Sequence, residues 1–140
     1  MCQYVVMVCI HCQQNTQVIN SRLQKRANAV WRRRKCLDCE AIFTTHEIAD
    51  LTALWRVTNQ KQAMSPFSRD KLLISLYKSL QHRPTALDDA SGLTATVISQ
   101  LSPLAKDGLI ATKLIAQTAQ TTLDRFDKAA ATHYQAFHRY

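Results

Sequence analysis

The sequence predicts an α+β chain, in which a small N-terminal β module precedes a mainly helical domain carrying a short β-hairpin. Three observations predict it. Two Cys-x-x-Cys pairs, Cys9-Ile-His-Cys12 and Cys36-Leu-Asp-Cys39, enclose 23 residues whose β-branched and polar runs are short enough to be strands. Leu54-Trp55-Arg56-Val57-Thr58 and Ala63-Met64 flank the polar turn Asn59-Gln60-Lys61-Gln62, which is a hairpin pattern ending at Pro66. From Ser68 onward the apolar residues recur three and four apart, the period of a helix with one buried face.

The cysteines come first in the chain and in the argument. A Cys-x-x-Cys turn can set both of its sulfurs on one ion at about 2.3 Å, and two such turns close the tetrahedral shell of a structural Zn2+ site. Cys9, Cys12, Cys36 and Cys39 are therefore the expected ligands. With four thiolates no position is left for a reacting water, so the metal is expected to hold the fold, a role worth on the order of 10 kcal/mol of coupled binding and folding energy. The competing readings are buried free thiols or a redox pair, but thioredoxin-like chemistry needs a βαβ setting that surrounds neither pair. His11, between two ligands, is expected to face solvent, and Cys2 stands outside the set. Residues 1–6 read as an extension, because Met7-Val-Cys9 makes a natural start.

Charge narrows the partner. The formal charge is +8 with a pI near 9.5, and Met1 to Leu37 holds seven Lys or Arg and no acidic residue. That is an electrostatic footprint for a polyanion, nucleic acid above all. The lack of a signal peptide or an apolar run near 18 residues leads us to expect a reducing, cytoplasmic setting and no membrane partner. His46, His82, His133 and His138 are scattered without a carboxylate constellation, so no enzyme activity is expected.

Thr16-Gln-Val-Ile19 reads as a strand, with Asn20-Ser21-Arg22 leaving it and Gln24 to Asn28 forming a turn. Ala29 to Lys35 returns, and its period of two puts Val30, Arg32 and Arg34 on one face and Trp31, Arg33 and Lys35 on the other. Trp31 either stacks on a base or covers a small core. Ala41 to Glu47 completes the sheet, and residues 48–53 connect to the second domain, in which Trp55 is expected in the core. Ser68 caps a helix with Leu72, Leu73, Leu76, Tyr77 and Leu80 that Arg83-Pro84 stops. A second helix begins near Asp88 and carries Leu93, Val97, Ile98 and Leu101, with Gly92 inside it. Thr112 is expected to cap a third with Leu114, Ile115, Thr118 and Ala119. A last helix from about Asp124 is expected to turn Phe126, Ala130, Tyr134 and Phe137 inward.

The order Cys-x-x-Cys, Thr16-x-Val18-Ile19-x-Ser21-Arg22, Arg32-Arg33-Arg34-x-Cys36-Leu37-x-Cys39 and Phe43-Thr44-Thr45-x-Glu47 resembles the NrdR family of bacterial transcriptional repressors. Downstream, Pro66-Phe67-x-x-x-Lys71-Leu72 and Leu80-x-x-Arg83-Pro84 resemble the ATP-cone domain that follows the zinc ribbon in that family. The likeness spans residues 7 to 140, with a ribbon over 7–47, a connector over 48–53 and a cone over 54–140. It implies a zinc-dependent repressor of ribonucleotide reductase genes that binds paired operator boxes in double-stranded DNA as a homo-oligomer. Its assembly would be set by ATP and dATP, and the protein would be associated with the nucleoid. By the same resemblance Arg22, Arg32, Arg33 and Arg34 are DNA candidates, with Lys35 as their neighbour. In the cone, Val57 falls on the first strand, Phe67 and Lys71 on the Pro-Phe-x-x-x-Lys motif, and Thr112 on the cap of the third helix.

The chain departs from the family where Ile10 replaces Pro, Glu40 replaces Gly, Asn20 replaces Asp and Trp31 replaces the first arginine of a run of four. The lysine of the first cone strand falls at Thr58 or Asn59, and an Arg-Glu becomes Met64-Ser65; Arg56 and Lys61 lie nearby to supply the missing charge. Two other functions fit the same residues. One is an RNA-binding or ribosome-associated zinc ribbon with a structural helical domain. The other is an allosteric component acting on a reductase directly.

Overall fold

The computed structural model describes residues 6–139, so Cys2 and most of the proposed extension lie outside the described residues. The chain divides between Ala49 and Asp50 into two compact units.

The first unit is an antiparallel three-stranded sheet in chain order, β1 (Thr16–Gln24), β2 (Ala29–Cys36) and β3 (Ile42–Ile48). β1 is longer than its sequence suggests, because Asn20, Ser21 and Arg22 stay paired with Arg33, Arg32 and Trp31 after a bulge between Val18 and Asn20. With Val18 and Ile19 adjacent and polar residues after them, the strand gives no alternation to read, yet its backbone groups are still satisfied by the ladder. A single turn of 3-10 helix, Lys25–Ala27, and Asn28 at φ 45° make the reversal into β2. Among the described residues of this unit only Cys9, Thr16, Ala29 and Cys36 are buried.

The second unit opens with a short helix, α1 (Leu51–Leu54), whose cap Asp50 accepts from the Thr52 amide at 3.0 Å. Leu54, expected in a strand, belongs to this turn. β4 (Arg56–Thr58) pairs antiparallel with β5 (Met64–Pro66) as the expected hairpin. It also pairs parallel with β6 (Leu109–Ala111), an edge strand after Gly108 that the sequence does not announce. Three residues are too short for an alternation signal, and only the return of the chain to β4 makes them a strand. Four longer helices follow the hairpin: α2 (Arg69–Leu80), α3 (Ala86–Leu101), α4 (Thr112–Phe126) and α5 (Lys128–Phe137).

Their apolar stripes meet in one core. Leu72, Leu76 and Leu80 of α2 pack with Ala90, Leu93, Val97 and Leu101 of α3, Ala119 and Leu123 of α4, and Ala130 and Tyr134 of α5. Trp55 joins this core as expected, edge-on to Phe67 at 5.1 Å between ring centres. The last helix differs from expectation. Asp127 leaves the helical region at φ −155°, ψ 109°, and its carboxylate accepts from the Ala130 amide at 3.0 Å, which ends α4 and caps α5. Phe126 and Phe137 are consequently exposed rather than inward. The Arg83 guanidinium lies over the Phe126 ring at 4.8 Å.

Arg83 also joins two helix starts, donating to Asp89 at 2.8 Å and to Asp127 at 3.1 Å, while Thr85 donates to Asp89 at 2.6 Å and His82 meets Asp127 at 3.0 Å. These bonds hold both carboxyls below the usual range: for Asp89 chiefly the Thr85 hydroxyl and then Arg83, for Asp127 chiefly the Ala130 amide and then His82. A lowered carboxyl means that the unfolded chain binds more protons. Its stabilisation is therefore complete above the ordinary range near pH 4 and is lost as pH falls through the folded value. The urea midpoint of the helical signal should fall steeply below about pH 4, and Asp127→Asn, which keeps the cap but not the charge, should flatten that fall. Glycines give a second check. A Cβ on Gly108, at φ 71°, would sit 2.5 Å from the Leu54 carbonyl oxygen, whereas one on Gly92 meets nothing within 4 Å. Gly108→Ala should destabilise the second unit by about 2 kcal/mol or more, and Gly92→Ala should stabilise α3 by about 0.5–1 kcal/mol, both readable in thermal midpoints.

Candidate functional site

The four predicted cysteines converge at one end of the sheet. Their sulfurs all lie within 4.8 Å of one another, with Cys9–Cys39 at 3.6 Å, Cys12–Cys36 at 3.4 Å and Cys12–Cys39 at 3.5 Å. A tetrahedron of sulfurs about 2.3 Å from a central Zn2+ has edges of about 3.8 Å, so these three edges need only lengthen slightly to hold the ion.

Local backbone builds each half. Gln13 donates its amide to the Cys9 carbonyl at 3.0 Å and takes φ 61°; after the second pair Glu40 takes φ 58°. Each knuckle thus closes on a left-handed residue directly after its second cysteine, a conformation costing a side-chain-bearing residue about 1–2 kcal/mol. Backbone amides point at the sulfurs, His11 to Cys9 and both Asp38 and Cys39 to Cys36, all at 3.4 Å. His11 is exposed, as expected. The amide of Cys12 and then that of His11 lower the Cys9 thiol to about 6. Burial raises Cys36, but the amides of Asp38 and Cys39 outweigh it and the thiol is lowered. The Ala41 amide pulls Cys39 down, yet the neighbouring thiols of Cys12, Cys36 and Cys9 and its burial push it up to about 12. Amide donors that favour thiolates are what a Zn2+ centre requires around its ligands.

Residues 7–47 match the family model described as the N-terminal domain of NrdR-like transcriptional repressors. This domain is an NrdR-like zinc ribbon. Its cysteine cluster fits Zn2+. No helix among the described residues is long and apolar enough to cross a membrane.

The NrdR-like ribbon presents two unlike faces. Cross-strand partners share a face, so Arg22–Trp31–His46 and Asn20–Arg33–Thr44 form rows on one side with Lys35 beyond them. Ser21–Arg32–Thr45 and Val18–Arg34–Phe43 lie on the other. On that second face Arg32 pairs with Glu47 at 2.9 Å and Arg34 donates to Thr45 at 3.2 Å. On the first face Lys35 reaches Glu40 at 3.1 Å, Arg22 lies 5.8 Å over the Trp31 ring, and Arg33 is exposed with no partner among the described residues. The rows of the first face hold no carboxylate. Trp31 is half-buried beside Arg22 and lies outside the main core.

In the second unit three of the predicted nucleotide residues come together. Asn59, Lys61 and Thr112 line a cavity of about 590 Å³ bounded also by Lys113, Phe137 and Arg139. The others lie elsewhere. Arg56 is exposed opposite Pro66, Val57 packs against the core, and Phe67 is buried in it. Lys71 lines a different cleft, of about 550 Å³, with Lys78, Ser75 and His133. Thr112 is the first residue of α4 rather than its cap, and its hydroxyl donates to the Thr58 carbonyl at 3.0 Å, strapping the helix start to β4. Sequence reasoning missed Lys113 and Arg139, whose place in the cavity depends on β6 and α5 returning to the hairpin.

Removing the metal should unfold the ribbon while leaving the helical signal, because the second unit has its own core and the ribbon has almost none. Circular dichroism during titration with a chelator should show loss of strand signal with helicity kept. An unchanged spectrum after zinc is shown to have left would contradict a metal-held sheet.

Proposed function

We propose that this protein is a DNA-binding transcriptional repressor of ribonucleotide reductase genes, acting in the cytoplasm on the nucleoid. Its second unit would sense adenine nucleotides as an ATP-cone, and it would carry out no reaction. The observation that carries the reading is the NrdR-like ribbon, whose first sheet face sets Arg22 and Arg33 in adjacent cross-strand rows that hold no carboxylate. Cations without a carboxylate beside them are suited to the phosphates of a duplex, and arginine can also read guanine in the major groove. The surface pairs of Arg32 and Lys35 are worth little in water and are readily exchanged for phosphate.

The cavity beside the β4–β5 turn supports a nucleotide as effector: it is large enough, basic, and has the exposed ring of Phe137 on its wall. ATP and dATP would act by differential affinity for two homo-oligomeric states, only one of which places ribbons at the spacing of paired operator boxes. Binding to duplexes bearing boxes from upstream of a reductase gene tests the first part. An Arg22→Ala, Arg33→Ala variant should lose most affinity, and the slope of log K against log salt should fall by about 0.9 for each phosphate contact removed. Unchanged affinity in that variant, with loss in Arg32→Ala, Arg34→Ala, would place the contact on the opposite face.

A further inference from the structure

We propose that the first face of the ribbon is also a binding site for single-stranded nucleic acid, in which Trp31 is the platform for an unpaired base and Arg22 and Arg33 take the phosphates. This goes beyond duplex binding and rests on the ribbon alone. The sheet sets Arg22, Trp31 and His46 in one cross-strand row, with Trp31 at its centre on the middle strand. The next row, Asn20, Arg33 and Thr44, adds a cation and two hydrogen-bonding side chains. Neither row holds a carboxylate. Glu40, the partner of Lys35, follows Cys39 at the cysteine end. A polyanion is therefore attracted to the two rows that surround the indole.

Packing does not account for an indole in this place. Trp31 is half-buried and outside the hydrophobic core, and of its neighbours two residues away on the same strand face, Arg33 is exposed and only Ala29 is buried. A leucine would cover an alanine as well. No hydrogen bond engages the indole N–H among the described residues. The contact the ring does make is with the Arg22 guanidinium at 5.8 Å, and Arg22 is itself exposed. An exposed cation–π contact is weak and can be exchanged for a base, which leaves the guanidinium beside a phosphate of the same strand. His46, exposed and next to Trp31, offers a second ring in the row. Inside a duplex each base has both of its faces covered by neighbours, so a ring on a sheet surface stacks only on a base that has left the helix. Charge supplies attraction to any nucleic acid, and the indole selects the unpaired form.

The chain has two tryptophans, and Trp55 is 6% exposed in the core of the second unit, so a Trp55→Phe chain emits from Trp31 alone. Titrating that zinc-loaded chain at fixed salt with single-stranded oligothymidine, and with a mixed-sequence duplex of the same length, tests the site. The single strand should quench Trp31 and the duplex should not. With Trp55 restored, Trp31→Leu, which keeps apolar bulk beside Ala29, should weaken binding of a labelled oligothymidine by about tenfold. Trp31→Phe should retain most of the affinity, with metal content and circular dichroism as controls for folding. The proposal is overturned if oligothymidine fails to bind, binds without quenching, or is held equally well by Trp31→Leu, or if the duplex quenches as strongly. Single-strand binding that depends on Trp31, without affinity for operator duplexes, would keep this site and remove the repressor reading. Operator binding with no response to the single strand would do the reverse.

Discussion

Four sulfurs gathered within reach of one ion are the constraint on which the first unit depends. Its sheet has three strands and almost nothing buried: beyond Cys9 and Cys36 only Ala29 and Thr16 are out of solvent among its described residues. A module of about 40 residues with so small a core needs a metal to fold. The cysteines sit at the sheet's margins, Cys9 and Cys12 before β1, Cys36 ending β2, and Cys39 before β3, so a single ion held by them would staple all three strands at one end. The far end is left to the ladder and to side-chain pairs such as Arg22 over Trp31.

This arrangement frees the sheet surface for charge. A conventional three-stranded sheet would spend one face on a core, and its cations would be confined to the other. Held by sulfur instead, β2 can carry guanidinium groups on both faces. The two faces then diverge through their neighbours. Glu47 and Thr45 on β3 engage Arg32 and Arg34, while Trp31, His46, Asn20 and Thr44 surround Arg22 and Arg33 without acid. The two faces differ in their neighbours, although the arginines themselves are chemically alike, and each face has one cation paired with a carboxylate, Arg32 with Glu47 and Lys35 with Glu40.

The second unit is stabilised differently. Apolar stripes on α2 to α5 make a core that needs no metal, and the Arg83 cluster ties the start of α3 to the break between α4 and α5. That break is what sends α5 back toward the hairpin and brings Phe137 and Arg139 to the cavity. Thr112, strapped to Thr58, fixes the start of α4 against β4. The cavity is thus a product of how helices end, a feature with weak signals along the chain.

Much was nonetheless legible beforehand. Cysteine spacing announced the ligands because metal chemistry demands particular residues at particular separations. The stripe of α2 announced its buried face because a long amphipathic period rarely arises without a helix packed on one side. β6 was invisible, since three residues carry no period, and Phe126 and Phe137 were misplaced because a single aspartate between two helices ends a pattern that otherwise continues. Composition and spacing by themselves determined that this chain has a metal-held basic module and a helical domain. Only the tertiary structure decided which arginines stay unneutralised and which lysines share a cavity, because these depend on cross-strand partners and chain returns, through which residues distant in sequence come within reach of one another's fields.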